Sequence, residues 1–595
     1  MLRICTLALL VLAQLGALAA TPALAADATI STDRRLPKDV LAYVSIRNFA
    51  EFRKQMGDTS WGRLFRDEAV ADFRRELEAK IAELSKQIEE LAGMGLGDLA
   101  EIPQGEVAVA VMQPANDELA VVLLLDFGDK EPAVRKLIEK GVAGLEQRGA
   151  KSSTEDYEDI QLNIYRTPPD EDDEKDDDKL AKKSESTTVY FLKDSVLVMG
   201  GNLAAIKSVA LRWDGKHQQT LADNETYRQV LETCRDENQP APPLVVWYVD
   251  PIGFFKAAIS AGRANTNPIV AAYLPVIGLD KLRCVGGAFD RAGDEFDTIS
   301  RMLISIDQPA AGLLDLLDFP AVALAPPRWV PAQAASYFSF NWNIEKSWGA
   351  VESLVDTLQG QRGLFASLVD QLSKNPEAGG LHVKKDVIDH LSGVVHIVGD
   401  FSDPDDVRTQ RLLIAAGLKN GGAMRAALAK FAALPFFKGK SRTFQGETIY
   451  DLPVAAKADD DKPPRPAAGM GLAIAENHLM FASDVTLLEQ VLRGGKDQDS
   501  LAESPGYRKI AAKFPAQTSS IGFQKQDAQV RTLYELLRSG AAPNPFGDEV
   551  KLDFSKLPAF DAIRKYMTPS GSYMRPTPHG LLIVSFSLRQ DTEQP

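Results

Sequence analysis

Short runs of apolar or alternating residues recur along the first half of the chain and predict β-strands. They are rich in Val and Leu, and Gly, Pro, Asn or Asp marks many of their ends, as is typical of strands. The predicted strands are Tyr43–Ile46, Val107–Met112, Leu119–Asp126, Ile160–Arg166, Thr188–Leu192, Val196–Gly200 and Leu244–Asp250. The longest segment with helical apolar spacing runs from Arg66 to Leu91, and we expect its apolar side to pack on the sheet rather than to dimerise.

Tight turns between neighbouring strands indicate the fold class. Lys193-Asp194 separates two strand-like runs in the first half, and Glu476-Asn477 does so in the second. Strands joined by such short turns pair in antiparallel fashion. The pattern therefore predicts an α+β fold, in which amphipathic helices cover a mainly antiparallel sheet, and not a parallel βαβ series.

Two stretches far apart in the chain align without a gap. Residues 36–46 and 330–340 share Pro, Tyr and Ser at the same places, with Tyr43 matching Tyr337. Later matches follow in the same order, and the clearest pairs the segment around Tyr227 with that around Tyr507. Collinear matches of this kind indicate an internal duplication.

The length of the chain agrees with a duplication, because 595 residues are too many for a single hydrophobic core. We predict two tandem homologous α+β copies, residues 33–306 and 328–589, with a connector at 307–327. The two matched tyrosine pairs should then lie at equivalent positions, on strands for Tyr43 and Tyr337 and on helices for Tyr227 and Tyr507.

The N-terminus has the three parts of a secretory signal peptide, which we assign to residues 1–25. Arg3 is the basic region, Thr6–Ala20 is the apolar region, and Ala23-Leu24-Ala25 supplies the small residues before the cleavage site. The alternative is an uncleaved anchor, but the apolar region is shorter than the roughly 20 residues that span a bilayer. We expect export to the periplasm or the extracellular space, with no transmembrane segment after cleavage.

The net charge argues against two classes of partner, and the cysteine content leaves one disulfide possible. The net charge of −15 becomes about −16 once Arg3 is removed with the signal peptide, and an acidic protein is poorly suited to nucleic acid or anionic membranes. Hydrophobic residues make up 45% of the chain, as in an ordinary globular protein. Cys234 and Cys284 are then the remaining thiols, and both a disulfide and two separate core residues are open.

An acidic run in the first copy provides weak metal candidates. Its carboxylates are Asp170, Asp172, Asp173, Asp176, Asp177 and Asp178. Calcium needs several carboxylate oxygens, but the run has no turning glycine and no distant bidentate Glu. Like charges without apolar residues usually stay solvated. We therefore predict a solvated loop and no metal site.

The sequence singles out no catalytic or cofactor-binding residue. The six histidines are scattered, at His217, His382, His390, His396, His478 and His579. Gly439-Lys440-Ser441 imitates the end of a phosphate-binding loop, but Leu434 stands where the first Gly should be. No Gly-x-Ser-x-Gly elbow occurs. We expect no cofactor.

Around Leu36-Pro37, Tyr43–Ile46 and Trp61–Leu64 the chain resembles large exported bacterial proteins. These proteins are common in planctomycetes and are assigned to an uncharacterised domain-of-unknown-function family. The resemblance implies no activity and no site residues.

Three functions follow as hypotheses. The first is an exported, non-enzymatic cell-envelope protein with a binding or structural role, whose partner would be an envelope protein or a polysaccharide. The second is an enzyme with its active site in the cleft between the copies. The third is a carrier of an apolar ligand, held in a pocket lined by side chains such as Phe49, Phe52 and Trp61.

The acidic run provides a direct test. Replacing residues 170–178 with a few Gly and Ser residues should leave the melting temperature nearly unchanged, because solvated like charges contribute little to stability. Excess Ca²⁺ should also shift it little. A Ca²⁺-dependent rise of several degrees that disappears with the replacement would reveal a metal site.

Overall fold

A computed structural model provides the three-dimensional description of the chain. The structure describes residues 30–92, 96–114, 119–169, 186–236, 242–260, 273–290, 295–375, 380–403, 409–434, 437, 439–452, 469–494, 499–542, 544–545 and 552–589. The predicted signal peptide, residues 1–25, and the acidic run, residues 170–178, lie outside the described residues.

The first half contains ten strands and eight helices among its described residues. The strands are β1 (Ala42–Ile46), β2 (Val107–Met112), β3 (Ala120–Asp126), β4 (Lys151–Tyr157), β5 (Ile160–Thr167), β6 (Ser186–Lys193), β7 (Val196–Gly200), β8 (Val245–Val249), β9 (Leu282–Asp290) and β10 (Phe296–Ile306). The helices are α1 (Phe49–Gly57), α2 (Ser60–Arg66), α3 (Ala71–Ala92), α4 (Leu96–Glu101), α5 (Glu131–Gln147), α6 (Leu203–Ala210), α7 (Glu225–Cys234) and α8 (Pro251–Ser260). All the strands that the sequence predicts are present, with ends that differ by no more than two residues.

The second half again contains ten described strands. They are β11 (Ser336–Asn341), β12 (Leu391–Phe401), β13 (Gln410–Leu418), β14 (Lys440–Phe444), β15 (Glu447–Leu452), β16 (Met470–Ala475), β17 (His478–Ala482), β18 (Ser520–Gln524), β19 (Ser570–Thr577) and β20 (Gly580–Leu588). The helices are α9 (Ile344–Gln359), α10 (Leu364–Lys374), α11 (Gly421–Ala432), α12 (Val485–Arg493), α13 (Pro505–Ala511), α14 (Gln526–Arg538) and α15 (Phe560–Ile563).

The strands of the two halves pair in the same order. In the first half the order across the sheet is β4-β5-β6-β7-β3-β2-β1-β8-β9-β10. In the second it is β14-β15-β16-β17-β13-β12-β11-β18-β19-β20. Every pair is antiparallel, so the predicted α+β class with a mainly antiparallel sheet is confirmed.

One further pair joins the two halves. The strand β10 runs antiparallel to β20, from Phe296 opposite Leu588 to Ser305 opposite Gly580. The chain therefore has one continuous sheet of 20 strands, where the sequence predicts two separate ones. β10 and β20 are the last strands of their halves and lie in the middle of the joined sheet. The strand order from the β4 edge to β10 is therefore the same as that from the β14 edge to β20.

Matching turns support the correspondence of the halves. Asp194 and Ser195 have positive φ angles between β6 and β7, as Glu476 and Asn477 do between β16 and β17. The second turn lies where the sequence predicts it. The first begins one residue later, because Lys193 is still part of β6.

The four matched tyrosines lie where the alignment predicts. Tyr43 is the second residue of β1 and Tyr337 the second of β11, and both are buried. Tyr227 is the third residue of α7, capped by Asn224, and Tyr507 is the third of α13, capped by a serine. The order of elements therefore recurs, while the duplication itself stays a prediction.

Helices lie on both faces of the sheet. On one face, which we call the inner face, α6, α7, α12 and α13 pack on the sheet and form the main core with Tyr43, Tyr337 and their neighbours. On the opposite face, α5 packs on β7 through Val134, and α11 packs on β16 through Met424 and Leu428. These two helices leave the middle of that opposite face between them.

A second contact between the halves is made by helices. Leu64 of α2 and Val70, the residue before α3, pack against Phe560 and Ile563 of α15. The predicted helix from Arg66 is thus interrupted, because α3 begins only at Ala71 after a short 3₁₀ turn. The expectation that its apolar side packs on its own sheet is wrong for its first residues, which contact helices of the other half.

The described part of the chain contains no helix that is long and apolar enough to cross a membrane.

Phe560 provides a test of this contact. The Phe560→Ala substitution removes a ring that is 2% exposed and should lower the free energy of unfolding by about 3–5 kcal/mol. Denaturant unfolding followed by circular dichroism should still show a single transition, because both halves share one sheet. Leu533→Ala, at a side chain that is 58% exposed, is the matched control and should change stability little. Two separate transitions would contradict the shared sheet.

Candidate functional site

The cysteines form no disulfide in the structure. Cys234 and Cys284 are both buried and free. Burial raises the pKa of the Cys234 thiol to about 12 and that of Cys284 to about 11, so neither is a ready nucleophile. The sequence left a disulfide and two separate core residues open, and the structure has the two cysteines as separate core residues.

Two of the six histidines come together. The ring centroids of His396 and His478 are 5.2 Å apart, and Trp329 lies 5.8 Å and 5.4 Å from them. His396 Nδ1 shares a hydrogen bond of 2.8 Å with the hydroxyl of Tyr337. The sequence places these residues on three separate segments, and no spacing connects them.

This imidazole cluster is held in its neutral form. Burial lowers the pKa of His396 to about 3, and the neighbouring His478 contributes to the shift. Burial also lowers the pKa of His478 and raises that of Tyr337. A neutral imidazole bonded to a neutral phenol packs and accepts or donates one hydrogen bond, but it is a weak general base at neutral pH.

The first half contains a different polar network near the equivalent place. The Glu106 carboxylate accepts hydrogen bonds from the backbone N–H of Thr32 and from the Ser45 hydroxyl. Tyr227 donates to Asp33 over 3.2 Å. These groups lie on the inner face beneath the helices, so they hold the core together and do not line a cleft.

We call the middle of the opposite face, between α5 and α11, the open face. Alternation along each strand points Tyr43 and Ser45 to the helices and leaves Val44 on the open face. Val44 is 41% exposed, Phe338 39% and Leu412 37%, although all three are large apolar residues in regular strands. They lie on separate strands, β1, β11 and β13, so a continuous surface depends on the residues between them.

Residues that lie opposite one another on successive strands form an apolar row across the open face. Following the strand pairs from β2 to β12, this row consists of Val109, Val44, Trp247, Gly287, Met302, Ile583, Met574, Ser520, Phe340 and Val395. Only Gly287 and Ser520 interrupt it, and both are buried. The indole of Trp247 lies against Gly287, where an added Cβ would be 2.9 Å from its Nε1. The row is therefore nearly continuous across the junction of the halves.

Beside the apolar row, a cavity of about 490 Å³ lies over the junction, and we call it the central serine groove. Both halves contribute to it. Its serine and threonine lining residues are Ser60, Thr298, Ser300, Ser336, Thr568, Ser570, Ser572, Ser585 and Ser587. Gln524, Gln526 and the aromatic rings of Trp61, Phe289 and Phe338 also line the groove.

Strand pairing positions the groove residues. Thr298 of β10 lies opposite Ser587 of β20, and their hydroxyl oxygens are 2.8 Å apart. Ser585 lies opposite both Ser300 and Ser572. The hydroxyls thus form a patch two to three strands wide that exists only because the halves are joined.

The groove carries little charge. Its described lining residues include no Lys or Arg, and Asp297 is the one carboxylate. Asp297 is 3% exposed, and its two oxygens accept from the backbone N–H of Ser60 at 2.9 and 3.0 Å. Within the described residues there is also no group of three or more metal-ligating side chains. The groove can offer hydroxyls, amides and aromatic rings to a ligand.

The candidate residues from the sequence have mixed outcomes. The acidic candidates at 170–178 lie outside the described residues. Phe49 and Phe52 are buried, with ring centroids 6.2 Å apart, and neither is among the described residues that line the groove. Trp61 is 53% exposed and does line the groove. The serines were missed because each lies in an ordinary alternating strand, and only pairing brings them together.

The imidazole cluster predicts an acid-dependent loss of stability. An unfolded histidine takes up a proton near pH 6.5, whereas folded His396 does so only near pH 3. Between these values the unfolded state binds more protons, so stability should fall by about 1.4 kcal/mol per pH unit for such a group as the pH decreases. Unfolding measured from pH 7 to pH 4 should show a shallower slope for His396→Gln. His217→Gln is the control and should keep the wild-type slope. Equal slopes for all three proteins would contradict the prediction.

Comparison with known proteins bears on the second half of the chain. No curated protein and no solved structure matches the chain. The residues that resemble an uncharacterised family, around Tyr43 and Trp61, lie in the first half, but the match to a family model lies in the second. It begins before β11 and ends within α14. Over residues 320–533 the chain is similar to the family DUF3352, proteins of unknown function, and the expectation of an uncharacterised family is confirmed.

Proposed function

We propose that this protein is an exported, non-enzymatic binding protein of the cell envelope that holds an apolar chain on its open face. The apolar row carries this proposal. Its residues lie side by side across the middle of the sheet, and its apolar members are half-buried except Val44, which is 41% exposed. Covering the part of the row that remains in water would stabilise a complex, since each buried CH₂ group of a ligand contributes about 0.8 kcal/mol.

The proposal combines two of the hypotheses from the sequence. The binding role comes from the hypothesis of an envelope protein, and the apolar ligand comes from the hypothesis of a carrier. In this proposal the ligand lies on the sheet and not beside Phe49 and Phe52. Export rests on the signal-like residues 1–25. Duplication of an ancestral half rests on the recurring strand order.

An enzyme in the cleft between the halves has less support. The described groups whose pKa values are strongly shifted, such as His396 and Tyr227, belong to the inner-face core. Asp297, in the groove, is engaged by the backbone of Ser60. Perturbed ionisable groups that converge in a cleft are the usual sign of an active site. Among the described residues that line the groove, Tyr337 alone has a strongly raised pKa, and its hydroxyl is hydrogen-bonded to His396.

A fluorescent apolar probe tests the proposal. N-phenyl-1-naphthylamine should bind the wild-type protein with enhanced emission, and Val44→Glu should weaken this binding about tenfold or more, because a charge on the row would have to be desolvated. The substituted side chain lies at the surface, so the melting temperature should change little. Leu533→Glu places the same charge on an exposed leucine of α14, away from the row, and should bind like the wild type. Loss of binding in both variants, or in neither, would overturn the proposal.

A further inference from the structure

We infer that the central serine groove binds an uncharged, hydroxyl-bearing head group, so that the ligand of the open face is a neutral amphiphile such as a glycolipid. This inference rests on the proposed function for the chain part of the ligand. It adds a second subsite of different chemistry, with its own residues and its own test.

The two subsites are adjacent on the same strands. Met302 of the apolar row and Ser300 of the groove are two residues apart on β10, and Ile583 and Ser585 are two residues apart on β20. Two residues along a strand span about 6.6 Å. An amphiphile with its chain along the row would therefore place its head group directly over the hydroxyl patch.

The groove offers the hydrogen-bonding groups that a polyhydroxylated head requires. Serine and threonine hydroxyls both donate and accept, as do the amides of Gln524 and Gln526. Ser585 is exposed in the middle of the patch, opposite Ser300 and Ser572. Sugar hydroxyls likewise both donate and accept, so each can be satisfied here without a charge.

The electrostatics disfavour an anionic head. No lysine or arginine is among the described lining residues, and Asp297 adds a negative charge at one end. The backbone N–H of Ser60, at the start of α2, already donates to that carboxylate. A phosphate or carboxylate head would thus find neither a cation nor this helix-terminal amide to pair with, and it would be desolvated at a cost.

An aromatic ring gives the groove a stacking surface. Trp61 lines the groove and is 53% exposed, which is unusual for the largest apolar side chain. Its position is set by α2, whose start is held by the bond from Ser60 to Asp297. The indole faces can pack on the apolar faces of a sugar ring while hydroxyls bond to the floor of the groove.

A set of ligands with one chain and different heads tests the inference. The probes are dodecyl maltoside, dodecanoate and dodecyltrimethylammonium, each below its critical micelle concentration, with free maltose as the chainless control. Calorimetric titration should give dodecyl maltoside about tenfold tighter binding than either charged amphiphile, because only its head is paired in the groove. Free maltose should bind far more weakly than dodecyl maltoside.

Variants assign the head-group effect to the groove. Trp61→Ala should weaken dodecyl maltoside about fivefold and leave dodecanoate unchanged, since only the sugar stacks on the ring. Tyr273→Ala removes another exposed aromatic ring, which is 47% exposed and does not line the groove, and should change neither affinity. Both side chains are exposed, so the two substitutions should leave the melting temperature nearly unchanged, and melting curves check this.

The outcomes separate the two proposals. Three results would overturn the head-group inference and keep the proposed function. They are equal affinities for all three dodecyl ligands, tighter binding of a charged one, and an equal loss of affinity for all three in the Trp61→Ala variant. Failure of every dodecyl ligand to bind would overturn the proposed function. Maltose that binds as tightly as dodecyl maltoside would keep the groove and overturn the role of the apolar row.

Discussion

The pairing of β10 with β20 is the contact on which the architecture depends. It joins the last strand of each half along the whole of its length, from Phe296 opposite Leu588 to Ser305 opposite Gly580. Without it the chain would have two sheets, each with a long and largely apolar edge strand, which is a template for aggregation. With it, the remaining edges are β4 and β14, whose exposed residues include Lys151 and Lys440.

The same pairing creates the surface that we assign to function. Thr298 and Ser587 meet across it, and the apolar row passes through it from Met302 to Ile583. The helical contact of Val70 with Phe560 and Ile563 adds a second connection between the halves. The open face spans both halves, and these two contacts connect them.

The interiors of the halves differ while their strand orders correspond. Ser45 lies opposite Ala108, and at the corresponding place Ser339 lies opposite His396. The first half fills the neighbouring space with the Glu106 network, and the second with neutral imidazoles. Because both solutions satisfy buried polar groups, a fold can keep its strand pairing through such changes. Function is therefore better sought on the shared open face than in either interior.

The sequence by itself determined local structure. Val107–Met112 and Val196–Gly200 are strands with the predicted ends, because periodicity and turn residues act over a few positions. The α+β class follows from the same short-range signals. The interruption before Ala71 was missed, since the apolar spacing continues across it.

Only the tertiary structure decided the candidate site. Ser300, Ser572 and Ser585 are ordinary residues of alternating strands, and their spacing in the sequence does not predict that they lie opposite one another. The imidazole cluster of His396 and His478 likewise depends on strands that are distant in sequence. Strand pairing between remote segments is set by the global packing of the sheet and not by local propensity. For that reason the sequence indicated how each half is built, and the fold alone showed that the halves share one face.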